Sequence, residues 1–166
     1  MAAVVAGVAL ACVPPAASGS NLIAAGANVP LRSDGTPGPE RCPENALQVM
    51  EALDLRPGHS SAHVELDVNQ YEREPLTLTE GPIESDMLES MGQLGAATRL
   101  YGRVWTSGPR VVIRYYWAQR AGGNPIPICA VARLGSGQLE GKPGKFPKST
   151  ELRYSSATAF VVQDFL

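Results

Sequence analysis

Residues 98–117 read TRLYGRVWTSGPRVVIRYYW, and this stretch decides the fold class. Two runs rich in β-branched and aromatic residues, 98–105 and 110–117, flank the tetrapeptide Thr106–Pro109. Runs of this composition favour strands, and a Ser-Gly-Pro sequence between them is typical of a β-hairpin turn. The sequence therefore predicts a hairpin within a mainly antiparallel sheet.

The two faces of this hairpin differ in character. A tight loop at Gly108 would pair Val104 with Val111 and Leu100 with Tyr115 on an apolar side that faces the core. The other side places arginines beside aromatic rings, a mixture that suits anion binding. We expect this side to be an exposed binding face made of Arg99, Tyr101, Arg103, Trp105, Arg110, Arg114 and Tyr116.

One N-terminal helix is predicted over about residues 43–54. Pro43 suits the first helical position, and apolar residues recur at helical spacing until Pro57. Alternation with period two predicts further strands, whereas residues 84–91 suggest a second, short helix. The strands are expected around 63–68, 76–79, 126–134 and 151–162. The predicted fold is α+β, with a mainly antiparallel β sheet or a small sandwich and one N-terminal helix.

The chain begins with a run of apolar residues at 2–13 and has no charged side chain before Arg32. This run matches the core of an export signal and is shorter than the roughly 20 residues that span a bilayer. We therefore predict a signal or lipoprotein leader at 1–20, an irregular tether at 21–40 and a single domain at 41–166. Cys12 follows Ala-Leu-Ala, which approaches a lipoprotein signal and makes Cys12 the lipidation candidate. A buried N-terminal helix of a cytosolic protein is the remaining alternative.

Two cysteines, Cys42 and Cys129, lie beyond the leader. Exported proteins with two cysteines usually pair them, because the compartment is oxidising. We expect a disulfide that closes a loop of about 88 residues and contributes roughly 4.6 kcal/mol by restricting the unfolded chain. In a cytosolic protein, the same residues would be small buried side chains of the core.

The net charge of −2 conceals two halves of opposite sign. Residues 1–92 carry 4 basic and 13 acidic side chains, and residues 93–166 carry 10 basic and 3 acidic ones. Either the halves complement each other within the fold, or the basic half presents a cationic surface to an anionic partner. Lys142, Lys145 and Lys148 would extend that surface.

Catalytic and metal-binding motifs are incomplete. Residues 135–142 contain three glycines and a lysine, but their spacing fits neither the dinucleotide-binding nor the Walker motif. His59 and His63 lack the glutamate that accompanies zinc-binding histidines in metalloproteases. The strand pattern places His63, Glu65 and Asp67 together on a solvent-facing surface. No catalytic residue, cofactor or metal site is predicted.

Four stretches, at 29–35, 81–85, 100–105 and 127–134, resemble a group of small myxobacterial predicted secreted proteins or lipoproteins. Some members of that group carry a serine/threonine protein kinase label. The resemblance implies export, assigns no chemistry and carries over no functional residue. This sequence lacks the phosphate loop and catalytic Asp loop of kinases, so a kinase label would not describe catalysis by this chain, whereas an accessory role beside a kinase is compatible with the resemblance.

These observations together predict a non-catalytic exported envelope protein with a binding or structural role. The expected partner is an anionic envelope component or an acidic protein rather than nucleic acid. Contact with a membrane would come only through a lipid on Cys12. The alternative is an intracellular enzyme, or an accessory protein linked to a serine/threonine protein kinase.

Overall fold

The computed structural model describes residues 22, 24–135 and 137–166. The predicted leader and Cys12 lie outside these residues. The elements are, in chain order, β1 (Glu40–Arg41), α1 (Glu44–Ala52), β2 (Ser61–Glu65), β3 (Leu76–Thr79), β4 (Gly81–Met87), β5 (Arg99–Trp105), β6 (Val112–Gln119), β7 (Ile126–Arg133), β8 (Gly141–Pro143), β9 (Ser149–Leu152), β10 (Ser156–Val161) and β11 (Asp164–Phe165). No helix in this part of the chain has the length and apolar character needed to cross a membrane.

Six strands close into an antiparallel barrel, in the order β10, β2, β4, β5, β6 and β7. Alternate side chains of a barrel strand point inward, so a period-two pattern produces an apolar interior. Val64, Leu100, Ile113, Ala130 and Ala159 are among the fully buried residues. The fold is α+β and mainly antiparallel, as predicted. The sandwich alternative is wrong, because the sheet closes on itself.

The predicted hairpin is formed by β5 and β6, with a register that differs from the expected one. Val104 pairs with Ile113 instead of Val111, a shift of two positions that keeps the same side chains on the inward face. The connection between β5 and β6 is longer than expected. Val111 pairs with Leu139 in an isolated bridge and does not pair with a residue of β5.

The region expected to hold a second helix is a strand. β4 alternates between buried and more exposed residues, and Ile83, Ser85 and Met87 lie on the buried side. The Ser85 hydroxyl is buried, donates to the Leu66 carbonyl oxygen at 2.7 Å and lies 2.8 Å from the Tyr115 hydroxyl. A buried serine that is hydrogen-bonded costs little, which explains how a polar residue fits the barrel interior.

A second sheet joins β3, β9 and β8 in that order. It extends the barrel strands, because β3 leads directly into β4 and β9 leads into β10. The single strand expected at 151–162 is therefore two strands, and the loop expected at 135–149 contains β8. This arrangement leaves β3 and β8 as the two outer strands of the second sheet.

Helix α1 packs against β7 and is covalently joined to it. Cys42, two residues before the helix, and Cys129, in β7, form the predicted disulfide, with their Cα atoms 6.0 Å apart. Ala46 and Met50 are the buried side chains of the helix. The helix is slightly shorter than the 43–54 expected from sequence.

The segment expected to be a tether lies against the barrel. From residue 24 to residue 39 it is irregular, but Gly26 lies against the Tyr116 ring. Gly35, at φ +85°, lies so close to Ser107 that an added Cβ would be 2.6 Å from its carbonyl oxygen. β1 then pairs with β11, so the chain on both sides of residue 41 belongs to the same packed unit.

Candidate functional site

The seven residues of the predicted binding face differ in their exposure to solvent. Trp105 is 4% exposed and Arg114 is 1% exposed, which corrects their placement on an exposed surface. The alternation along the strands is as expected, but residues 24–41 and β11 contribute contacts that cover part of β6. The other five are half-buried or exposed: Arg99, Tyr101, Arg103 and Tyr116 are half-buried, and Arg110 is exposed.

Arg114 holds the segments that cover it. Its Nη2 donates to the Gly38 carbonyl oxygen at 2.8 Å, and its guanidinium lies over the rings of Trp105 and Phe165. Nη1 lies 3.5 Å from a carboxylate oxygen of Glu40 and has no hydrogen-bond partner among the described residues. Burial lowers the pKa of Arg114 from its ordinary value. These contacts make Arg114 a structural residue rather than a ligand-binding one.

Arg99 is paired with carboxylates of the neighbouring strand. Its Nε donates to Asp86 at 2.7 Å and its Nη1 donates to Glu84 at 2.9 Å. Burial alone would lower the pKa of Arg99, but the bonds to Asp86 and Glu84 outweigh burial and raise the pKa. An external anion would therefore have to compete with two carboxylates of the same chain.

Several ion pairs join basic residues of the second half of the chain to acidic residues of the first half. For these residues, the opposite charges complement each other within the fold. Arg99 and Arg114 pair with acidic residues of the first half, and Lys148 pairs with Glu80 at 3.3 Å. Lys142 and Lys145 form no ion pair within the described part of the chain, and both are exposed. Their positive charges are therefore available to a partner.

These two lysines belong to the hairpin of β8 and β9, residues 141–152, which we call the basic hairpin. Its turn also carries Phe146, whose side chain is among the exposed large hydrophobic ones at 66%. A single exposed apolar side chain is common on protein surfaces, and aromatic side chains are also enriched in binding interfaces. The basic character of this loop was evident from its composition, whereas its position in the fold could not be predicted from the sequence.

Two clefts lie along β3, with volumes of about 400 Å³ and about 700 Å³. Both are lined by Gln70, Thr77 and Thr79, so they form one continuous surface that we call the β3 groove. The smaller cleft also contains Asp67, Asn69, Glu84 and Tyr101. The larger cleft also contains Arg73, Glu74, Lys145, Phe146 and Glu151. No pattern in the sequence indicated this groove, because Thr77 and Thr79 resemble the solvent side of any half-buried strand.

Glu80 ties the basic hairpin to the barrel. Its carboxylate accepts hydrogen bonds from the Ser107 hydroxyl at 2.5 Å and from Lys148 Nζ at 3.3 Å. The Lys148 carbonyl oxygen in turn accepts from the Glu80 backbone N–H and from the Thr106 hydroxyl. Burial raises the pKa of Glu80, but the bonds from Ser107 and Lys148 outweigh it and hold the pKa below its ordinary value of 4.5.

Replacing Glu80 with glutamine should lower the free energy of unfolding by about 1 kcal/mol, because the amide loses the charge that both donors favour. Since the folded pKa is depressed, the contribution of Glu80 is complete above its unfolded pKa and is lost as the pH falls through the folded pKa. Urea unfolding of both proteins should therefore show a difference at about pH 6 that shrinks towards about pH 3. A difference that stays constant with pH would contradict this role for the ionised carboxylate.

The described residues contain no group of three His, Cys, Asp or Glu side chains arranged to hold a metal ion. Glu65, which was expected on a solvent face with His63 and Asp67, is 3% exposed. Its carboxylate accepts the Glu72 backbone N–H at 2.8 Å, because the turn after β2 folds back over this strand. The three side chains therefore do not share one solvent-facing surface, because Glu65 is buried.

No protein-family model, no curated protein and no solved structure matches this chain.

Proposed function

We propose that this chain is a non-catalytic exported protein that binds an anionic partner at the cell envelope through the basic hairpin. The partner class is an anionic envelope component or an acidic protein. The site differs from the Arg and aromatic face expected from sequence, because Arg114 is buried and Arg99 is already paired. A lipid on Cys12 remains part of the proposal, as the means of attachment to a membrane.

The observation that carries the binding part is the exposed ring of Phe146 next to Lys145. Lys145 and Arg73 line the same cleft as Phe146, and both are exposed. Cations on flexible side chains attract an anionic partner over a distance, and the ring supplies apolar contact area once the partner is bound.

The export part is supported by the disulfide between Cys42 and Cys129. Such bonds persist in oxidising compartments and are rare in the cytoplasm, where thiols are kept reduced. The bond is therefore compatible with an exported location.

Export is tested on the protein made in its own cell. Fractionation should recover it outside the cytoplasm, and mass spectrometry should find a shortened N-terminus and two oxidised cysteines. Acylation of the N-terminal residue would add the lipid anchor at Cys12. Recovery from the cytoplasm with Met1 intact and with reduced thiols would contradict export.

Anion binding is tested with two soluble probes, polygalacturonate for an envelope polymer and poly-glutamate for an acidic protein. Whichever probe binds the unaltered protein should bind Lys145→Glu at least about tenfold more weakly, because one charge inversion removes an attraction and adds a repulsion. Arg41→Glu is the matched control, since Arg41 is exposed but lies in β1 and lines neither cleft of the groove. If neither probe binds, or if both variants lose binding equally, the basic hairpin is not the site.

A further inference from the structure

The floor of the β3 groove is one face of the three-stranded sheet. Leu76 and Leu78 of β3 are buried in the core. Side chains alternate across a strand, so Thr77 and Thr79 point to the opposite face, where they line the groove. Thr77 pairs with Glu151 of β9, and directly paired residues lie on the same face of a sheet. The floor therefore presents hydroxyl groups and a carboxylate side by side.

The walls of the groove add aromatic rings to this polar floor. In the larger cleft, they are contributed by the turn before β3, with Arg73, and by the tip of the basic hairpin, with the exposed ring of Phe146. The smaller cleft contains the ring of Tyr101, whose hydroxyl donates to Gln119 Oε1 at 2.9 Å. The volumes of about 400 Å³ and about 700 Å³ lie in the range of ligand clefts, roughly 300–1,000 Å³. Each cleft thus combines an aromatic ring with polar side chains.

The charges inside the groove do not favour an ion of either sign. In the smaller cleft, Asp67 accepts a bond from Gln70 Nε2 at 2.7 Å, and Glu84 accepts one from Arg99 Nη1 at 2.9 Å. The larger cleft is lined by two cationic side chains and two carboxylates, namely Arg73, Lys145, Glu74 and Glu151. This balance contrasts with the tip of the basic hairpin, because residues 142–148 include three lysines and no acidic residue. The interior of the groove is therefore best matched by a neutral ligand.

Such a ligand has to satisfy hydrogen-bonding groups of every kind. The hydroxyls of Thr77 and Thr79 both donate and accept, whereas Glu151 only accepts and Arg73 only donates. Among the described residues, none of these four side chains forms an ion pair or a hydrogen bond. A sugar hydroxyl both donates and accepts, so one type of ligand can pair with all four. The C–H face of a sugar ring also packs favourably on the electron-rich face of an aromatic ring.

We propose that the β3 groove binds a neutral oligosaccharide. One sugar ring packs on Phe146, and sugar hydroxyls bond to Thr77, Thr79 and Glu151 on the floor. The ligand is a chain of sugars, because the groove continues from the larger cleft past Tyr101 in the smaller one. This site goes beyond the anion binding proposed for the basic hairpin and does not rest on it, since the groove requires no charge on its ligand.

The test titrates three uncharged hexasaccharides, cellohexaose, chitohexaose and maltohexaose, into isotopically labelled protein. At least one of them should shift the amide resonances of Thr77 and Thr79. Its affinity should change by less than about twofold between about 0.05 M and about 0.5 M salt, because salt screens interactions between charges and the ligand has none. The affinity for an anionic polymer should fall steeply over the same range.

Two substitutions remove contacts with the sugar. Phe146→Ala should weaken binding of the same hexasaccharide at least about fivefold, because it removes the ring. Thr77→Val should weaken it several-fold, because valine has a similar shape but lacks the hydroxyl. Tyr154→Ala and Thr158→Val are the matched controls, since Tyr154 is exposed, Thr158 is half-buried and neither lines the groove. Phe146 is exposed, so its comparison with Tyr154 decides the matter even if Thr77→Val does not fold.

The outcomes separate this inference from the proposed function. Failure of all three hexasaccharides to bind, or equal losses in the variants and their controls, would overturn the inference. Resonance shifts confined to residues outside the groove would overturn it as well. None of these results affects anion binding, which is measured with polygalacturonate, poly-glutamate and Lys145→Glu. A hexasaccharide that binds as expected, while neither anionic polymer binds, would retain this inference and overturn anion binding.

Discussion

Replacing Cys129 with alanine is expected to lower the free energy of unfolding by about 2–5 kcal/mol, the largest effect among the changes considered. The bond joins the start of α1 to β7 across 87 positions, so its loss releases a long loop in the unfolded chain. It also removes the covalent attachment of a short helix to the barrel. Thermal unfolding should move down by roughly 5–15 °C.

The matched variants are Cys42→Ala and the double alanine variant. Each lacks the same single bond, so all three proteins should unfold at closely similar urea concentrations. Adding reductant to the unaltered protein should produce the same shift, whereas it should leave the three variants unchanged. Variants as stable as the oxidised protein would show that the bond does not contribute to stability, and that restricting the loop in the unfolded chain has no measurable effect.

Arg114→Ala is expected to lower the free energy of unfolding by about 2–4 kcal/mol, because the change removes hydrogen bonds to buried carbonyl oxygens and leaves a cavity. Arg114 contacts the Gly38 carbonyl oxygen and the Phe165 ring, which lie in the two covering segments. Hydrogen exchange should therefore accelerate first in β1 and β11, before the barrel strands are affected.

Arg103→Ala is the control, since Arg103 pairs directly with Arg114 across β5 and β6 but is half-buried. It removes a guanidinium from the same face and should change the free energy of unfolding by less than about 1 kcal/mol. Equal effects of the two substitutions would show that the position of Arg114 beneath the covering segments has no special importance. Exchange that accelerates uniformly in Arg114→Ala would show that the segments do not open separately.

The hairpin shows what alternation can predict and what it cannot. Side chains alternate across a strand, so the inward face of β5 followed from the sequence even though the register shifted by two positions. Alternation says nothing of what packs on the outer face. Arg114 was expected in solvent, but it is covered by Gly38, which lies 76 positions away in an irregular segment without a pattern.

Closure of the barrel could not be predicted for a related reason. β10 pairs with β2 on one side and with β7 on the other, and the period-two pattern of each strand is the same whichever neighbours it has. The groove depends on this topology as well, because Thr77 and Thr79 lie at an edge only as a result of the strand order. The disulfide was predictable because only two cysteines, Cys42 and Cys129, lie beyond the predicted leader, and two cysteines allow a single pairing.

The bond between Cys42 and Cys129 also sets how the molecule responds to a pulling force. Tension applied to the two ends of the chain is carried by the S–S bond and not by the residues between Cys42 and Cys129. Stretching can lengthen only the parts outside the bridge, so β2 to β6 cannot be drawn out while the bond is intact. Residues 43–128 would therefore add their length under load only after the bond is reduced.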